Sequence, residues 1–130
     1  MIPVVFINCS SAPFVDKIIS REKVYETRSR NTLAALIGKR VLIAETGKGR
    51  PVVRCIATIY KAFPLRTRHA FEMFRYYTSV PEGSKYDWTD GTTEKWLYEL
   101  ADVRPVPVPF HPRQGVRHGR VWMEFAGRED

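Results

Sequence analysis

The most chemically suggestive stretch of this chain is Lys23-Val24-Tyr25-Glu26-Thr27-Arg28-Ser29-Arg30. Acid and base alternate there at short spacing. In a strand, side chains repeat every two residues, so Glu26 and Arg28 share one face. Glu26 can then orient Arg28 or pair with Lys23, and Lys23 with Glu26 forms a general acid–base pair if a cleft shifts their pKa values. The same pattern also serves as a plain cross-strand set of ion pairs, and the residues alone leave both readings open. A second group of cations, Lys48 and Arg50, flanks Gly49. Three aromatics sit among polar or charged neighbours, where a ring can act as a stacking surface: Tyr25, Tyr86 and Trp88. Trp96 and Trp122 lie in alternating segments and read as core.

Other chemistries lack their residues. There is no GxGxxG, no GxxxxGK[ST], no HExxH and no GxSxG. Gly47-Lys48-Gly49 is only a turn with a cation. His69 stands beside Arg68, and His111 and His118 lie in a basic link without adjacent carboxylates, so none suits a metal. Cys9 and Cys55 form no CxxC pair and sit among apolar neighbours, as buried thiols do. No metal and no cofactor is expected.

The elements that must position these residues follow from periodicity. Residues 3–8 read as a strand. Ser10-Ser11 offers a cap and Pro13 a first turn for a helix over 12–20, with Phe14, Val15, Ile18 and Ile19 on one face. Residues 24–29 are β-prone. Residues 41–44 and 52–60 form an apolar hairpin with Lys48 and Arg50 at its tip, and Pro64 ends its second strand. A helix with an aromatic face spans 68–79, a loop 81–93 and a strand 95–102. Residues 103–110 carry Pro105, Pro107 and Pro109 and so must run along an edge or leave the sheet. A polar link over 111–119 precedes a last strand at 121–125, and 127–130 frays. The sum is an α+β domain of five to six mostly antiparallel strands in a small barrel or strongly curved sheet, with two inserted helices.

Composition bounds the partner. The chain has 130 residues, 21 Lys/Arg and 14 Asp/Glu, for a net charge of +7. Charged residues at 27% and hydrophobic residues at 44% are ordinary for a globular domain. The length excludes a separate cofactor domain. All of the excess charge falls in residues 1–65, where eleven cations face four anions, against ten of each in residues 66–130. A basic stripe of this kind suits a polyanion. No span approaches membrane length and the N-terminus has no basic leader region, so a cytoplasmic protein is expected.

From Phe14 to Thr46 the sequence FVDKIISREKVYETRSRNTLAALIGKRVLIAET resembles the start of an ASCH domain (activating signal cointegrator homology), a family of the PUA-like superfamily of small β-barrels. The family signature is GxKxxExR after a short helix. Lys23, Glu26 and Arg28 match its last three fixed positions, and Arg21 stands at its glycine. The segment from Gly38 to Ala44, the segment from Lys95 to Val103 and the closing segment from Val121 to Phe125 also look like the family, so the resemblance covers roughly residues 3 to 125 of a single domain, 1–130. It implies a cleft beside the helix-to-strand turn, lined by Lys23, Glu26 and Arg28, and an RNA- or nucleotide-binding role; the cations and rings singled out from the residues themselves, Tyr25, Arg30, Lys48, Arg50, Tyr86 and Trp88, complete the expected contacts. Some ASCH-like proteins hydrolyse acetylated cytidine, using a threonine three positions after the lysine and a carboxylate from a later helix. Here Glu26 occupies that threonine position, and Thr27 falls on the opposite face by strand alternation. Glu72 is the only carboxylate of the second helix. Hydrolysis of RNA or of acetylated cytidine, with Lys23 and Glu26 as the catalytic pair, is the alternative to binding alone.

Overall fold

The structure is a computed structural model and describes residues 1–129. The chain runs β1 (Pro3–Asn8), α1 (Phe14–Ile19), β2 (Tyr25–Arg28), a 3-10 turn (Ala34–Leu36), β3 (Arg40–Thr46), β4 (Val52–Leu65), α2 (Arg68–Thr78), β5 (Lys95–Phe110), β6 (Arg117–His118) and β7 (Trp122–Glu124). Seven strands form one sheet in the order β2-β5-β4-β3-β1-β7-β6. Among the described residues only the β1–β3 ladder is parallel, and α1 and β2 supply the crossover between those strands.

β1 and β3 are apolar on both faces because both faces are covered. Val5 and Ile7 point into a core with Phe14, Val15 and Ile18 of α1. Val4 and Phe6 point the other way, onto Leu42, Val53 and Met123, which Val106, Phe110 and Phe125 cover. A third cluster lies under α2, around Phe71, Leu97 and Trp88. α2 is capped by Thr67, whose side chain accepts from Ala70 N at 3.0 Å.

The sheet curls strongly. β2 and β1 are four strand spacings apart in the sheet order, which is roughly 19 Å in a flat sheet. Yet Arg28 Nη2 on β2 donates to Phe6 O on β1 at 2.8 Å. The bend comes from the long β4–β5 ribbon, whose register shifts three times, between Val53 and Cys55, Ile56 and Thr58, and Ile59 and Lys61. Asp102 takes φ +48° beside the middle shift.

Several sequence expectations change here. β4 passes through Pro64, which pairs with Trp96, and ends at Leu65. β3 pairs with β4 only as far as Thr58, so on that side the proline interrupts no ladder. Residues 103–110 continue β5 along an edge, since β2 reaches only Trp96 to Glu99. Three prolines at every second position put their missing donors on one side of the strand, as an edge allows. The polar link contains β6, a seventh strand. Ser10 and Ser11 do not cap α1; its N-cap is Pro13, without a side-chain bond, and Ser10 Oγ bonds Asn8 instead. The tail is pinned rather than frayed as far as Glu129, whose N–H donates to His111 O at 2.8 Å, and Pro112 bridges Arg128. The remaining tail residue, Asp130, lies outside the described residues.

Candidate functional site

α1 ends at Ile19, and the chain reverses at Arg21, which adopts φ +69°. That left-handed conformation costs an L-residue roughly 1–2 kcal/mol and costs glycine almost nothing. Arg21 therefore stands where backbone geometry itself favours glycine, and its guanidinium is anchored to Leu100 O at 3.0 Å. Replacing Arg21 by glycine or by alanine loses the same hydrogen bond, but only glycine relieves the backbone. Arg21→Gly is expected to be more stable than Arg21→Ala by about 1 kcal/mol. Thermal unfolding of both variants checks this, and equal midpoints refute the strain.

The reversal carries Lys23 inward. Its side chain is 1% exposed. Nζ donates to Thr78 O at the end of α2 (2.6 Å), lies 5.0 Å from the centre of the Phe14 ring and stands 3.6 Å from Glu26 Oε1. Glu26 Oε2 forms an ion pair with Arg28 Nη2 at 2.9 Å. The result is a buried relay of cation, carboxylate and cation tying α2, β2 and β1 together. Burial pushes the Lys23 ammonium below the ordinary lysine value, and the Glu26 charge and hydrogen bond oppose that shift. Arg28 Nε is buried without a hydrogen-bond partner.

These three residues line a cavity of about 240 Å³. The end of β1 (Phe6, Ile7 and Asn8), Thr46, Phe14 and Tyr86 complete its walls, with exposed Arg120. Three cations against one carboxylate give the wall a formal charge of 3 − 1 = +2. Tyr86 meets Phe14 edge-on, 5.7 Å between ring centres. The volume lies just below the roughly 300–1,000 Å³ of drug-sized ligand sites, so it suits one base- or nucleoside-sized group. Glu26 can accept a hydrogen bond there, and Lys23 and Arg28 can donate.

Lys23, Glu26, Arg28 and Tyr86 thus come together; the other expected contacts do not. Tyr25 faces the underside of α2, packed edge-on against Phe63 and Phe74 at 5.7 and 5.5 Å. Trp88 is 8% exposed and packs on Phe71. Neither offers a free face to the cavity. Arg30 is exposed outside it, and Lys48 is exposed at the β3–β4 turn. Arg50 pairs with Glu129 at 2.9 Å. Thr27 contributes to the cavity wall despite the strand alternation. Glu72 is solvated and paired with Arg75, away from the cavity. Both cysteines are buried and free, and burial pushes the Cys55 thiol up to about 12. Among the described residues no three metal-ligating side chains cluster, and no helix is long and apolar enough to cross a membrane.

Sequence reasoning missed Arg120. The sequence carries a trace of its charge but not of its placement: His111 to Arg120 contains Arg113, Arg117 and Arg120 and no acidic residue, inside a half of the chain whose charges cancel.

The fold is that of ASCH structures. The chain superposes on ASCH from Zymomonas mobilis with a TM-score of 0.63 at 22% identity, covering 78% of this chain and 69% of that one. A serine-to-alanine variant of the Zymomonas mobilis protein gives 0.71 at 20% identity, covering 92% and 86%. A tyrosine-to-phenylalanine variant gives 0.66 at 22%, covering 83% and 75%. No family model and no curated protein matches the sequence.

Proposed function

We propose that this chain is a single ASCH domain with a PUA-like barrel, and that it binds RNA by taking one base or nucleoside into the cavity over Lys23, Glu26 and Arg28. The observation that supports this reading most is the buried Lys23–Glu26–Arg28 relay. It presents fixed donors and an acceptor at the depth where the edge of an unstacked base would sit, and recognition of single-stranded RNA works through such edges and through stacking. Tyr86 is the stacking wall, Arg120 a phosphate contact at the rim, and Lys48, Arg50 and Arg30 add to the field that draws in the polyanion.

The test is titration of the protein with nucleoside monophosphates and with short single-stranded RNA, at two salt concentrations. Saturable binding of both is expected. Tyr86→Ala should weaken it by about tenfold, since base–aromatic stacking contributes roughly 1–3 kcal/mol. Arg28→Met should do at least as much. No binding, or binding indifferent to both substitutions with the fold intact by circular dichroism, refutes the reading.

A hydrolytic reading has one observation in its favour, the buried Lys23 amine beside the Glu26 carboxylate, a pairing suited to proton transfer. It calls for turnover of RNA or of acetylated cytidine. Absence of product with either substrate, under conditions where binding is measured, removes it.

A further inference from the structure

A second cavity of about 130 Å³ shares one wall residue, Phe6, with the first. Arg117 and Arg50 line it, with Gln114 and Glu129. We propose that this second cavity holds the phosphate of a neighbouring nucleotide, so that the natural ligand is a single-stranded nucleic acid of at least two nucleotides and not a free nucleoside. This rests on the binding reading above and extends it to the class of ligand.

The two cavities are joined by one element. The β6–β7 hairpin places Arg117 at the second cavity and Arg120, three residues on, at the first. The Arg117 guanidinium lies 4.5 Å from the centre of the Phe6 ring. Neither Arg117 nor Arg120 has a carboxylate partner among the described residues, whereas Arg50, the other cation of the second cavity, is held by Glu129 at 2.9 Å. A cation stacked on an aromatic ring keeps its edge N–H groups available for a phosphate.

The hairpin backbone that carries Arg117 is also braced. Arg117 pairs with Met123 and His118 with Trp122 in the ladder. The His118 ring stacks on Trp122, with 3.9 Å between centres and 8° between planes, and its Nε2 stands 3.2 Å from Glu124 Oε2. The nearest acidic residue of the hairpin is thereby turned to His118. A phosphate group fits a cavity of this size, and the arginines that line it are the groups that bind one, while the first cavity takes the base. A base can enter the first cavity only when unstacked and unpaired, which selects a single strand over a duplex.

The experiment compares the affinity of a fluorescently labelled short single-stranded RNA with that of a nucleoside monophosphate, for wild type, Arg117→Gln, Arg117→Lys and, as a control on the β5 edge, Arg104→Gln. Arg117→Gln is expected to weaken the oligonucleotide about threefold to tenfold and to reduce the slope of log affinity against log salt by about 0.7. Its mononucleotide affinity should equal that of wild type. Arg117→Lys should restore most of the salt slope, and Arg104→Gln should change nothing. An unchanged oligonucleotide affinity in Arg117→Gln, or an equal loss for both ligands, overturns the proposal. Oligonucleotide binding that falls with Arg117→Gln but ignores Arg28→Met and Tyr86→Ala upholds the phosphate contact and overturns the base-in-cavity reading. If wild type binds neither ligand, both fall.

Discussion

Glu26→Gln should destabilise the protein by about 3–5 kcal/mol, because it removes the one carboxylate between two buried or half-buried cations. Lys23 and Arg28 have side chains only 1% and 19% exposed, and Glu26 contacts both. The glutamine is isosteric, so no cavity forms and the loss reports charge. Arg28 keeps some solvent contact, which favours the lower end of the range. In a chain of this length the unfolding midpoint should fall by roughly 10 °C or more.

The pH dependence distinguishes this cause from a packing defect. Burial already holds Lys23 below its ordinary value, and Glu26 is the main group that opposes it. Without Glu26 the folded protein releases the Lys23 proton at lower pH than wild type does. Where the variant's native state binds fewer protons than the wild type's, the variant's relative stability rises with pH. Its deficit should therefore shrink as pH rises through the window between its own lowered Lys23 pKa and the wild type's, below the ordinary lysine value of about 10.4. Urea denaturation at several pH values measures it. A deficit under about 1 kcal/mol, or one constant with pH, would show that the relay carries no mutual charge compensation.

The relay was legible in the sequence because its members are local. Lys23, Glu26 and Arg28 fall within six residues, and one turn followed by strand alternation brings them onto one side. Arg21 shows why a glycine suits its position, in that its φ of +69° is a backbone requirement that residue types alone reveal only indirectly. The far wall was not legible. Arg120 reaches the cavity through a β1–β7 pairing that joins the two ends of the chain, and pairing of that range leaves no local pattern. Tyr25 and Trp88 misled for a related reason. Their sequence neighbours are polar, but the apolar underside of α2 needs partners, and both rings fill that cluster. Pro64 misled because a proline breaks a strand only where its N–H is needed, and β4 has lost β3 by that point.

Gly115→Ala should be the most damaging single-methyl addition in the hairpin. A Cβ at Gly115 would sit far inside van der Waals contact of the backbone carbonyl oxygen of Glu124. No flexible side chain is there to yield. β7 cannot retreat, because Pro3 pairs with Glu124 and Val4 with Met123 in the β1 ladder. The loop cannot retreat without breaking the 2.8 Å bond from Glu124 N to Val116 O and the 3.3 Å contact of Gly115 N with Met123 Sδ. The expected loss is about 3 kcal/mol, at the upper end for overpacking. Gly119→Ala is the control. Gly119 has φ +68° with nothing within 4 Å of a Cβ, so it should lose only about 1 kcal/mol of backbone strain. Whatever part of the clash relaxes must move the segment that leads into Arg117. Gly115→Ala should therefore also weaken the oligonucleotide more than the mononucleotide, as Arg117→Gln does, while Gly119→Ala leaves that ratio near wild type. A Gly115→Ala protein with wild-type midpoint and wild-type oligonucleotide affinity would show that the segment leading into Arg117 has slack, and that the proposed phosphate contact does not depend on its placement.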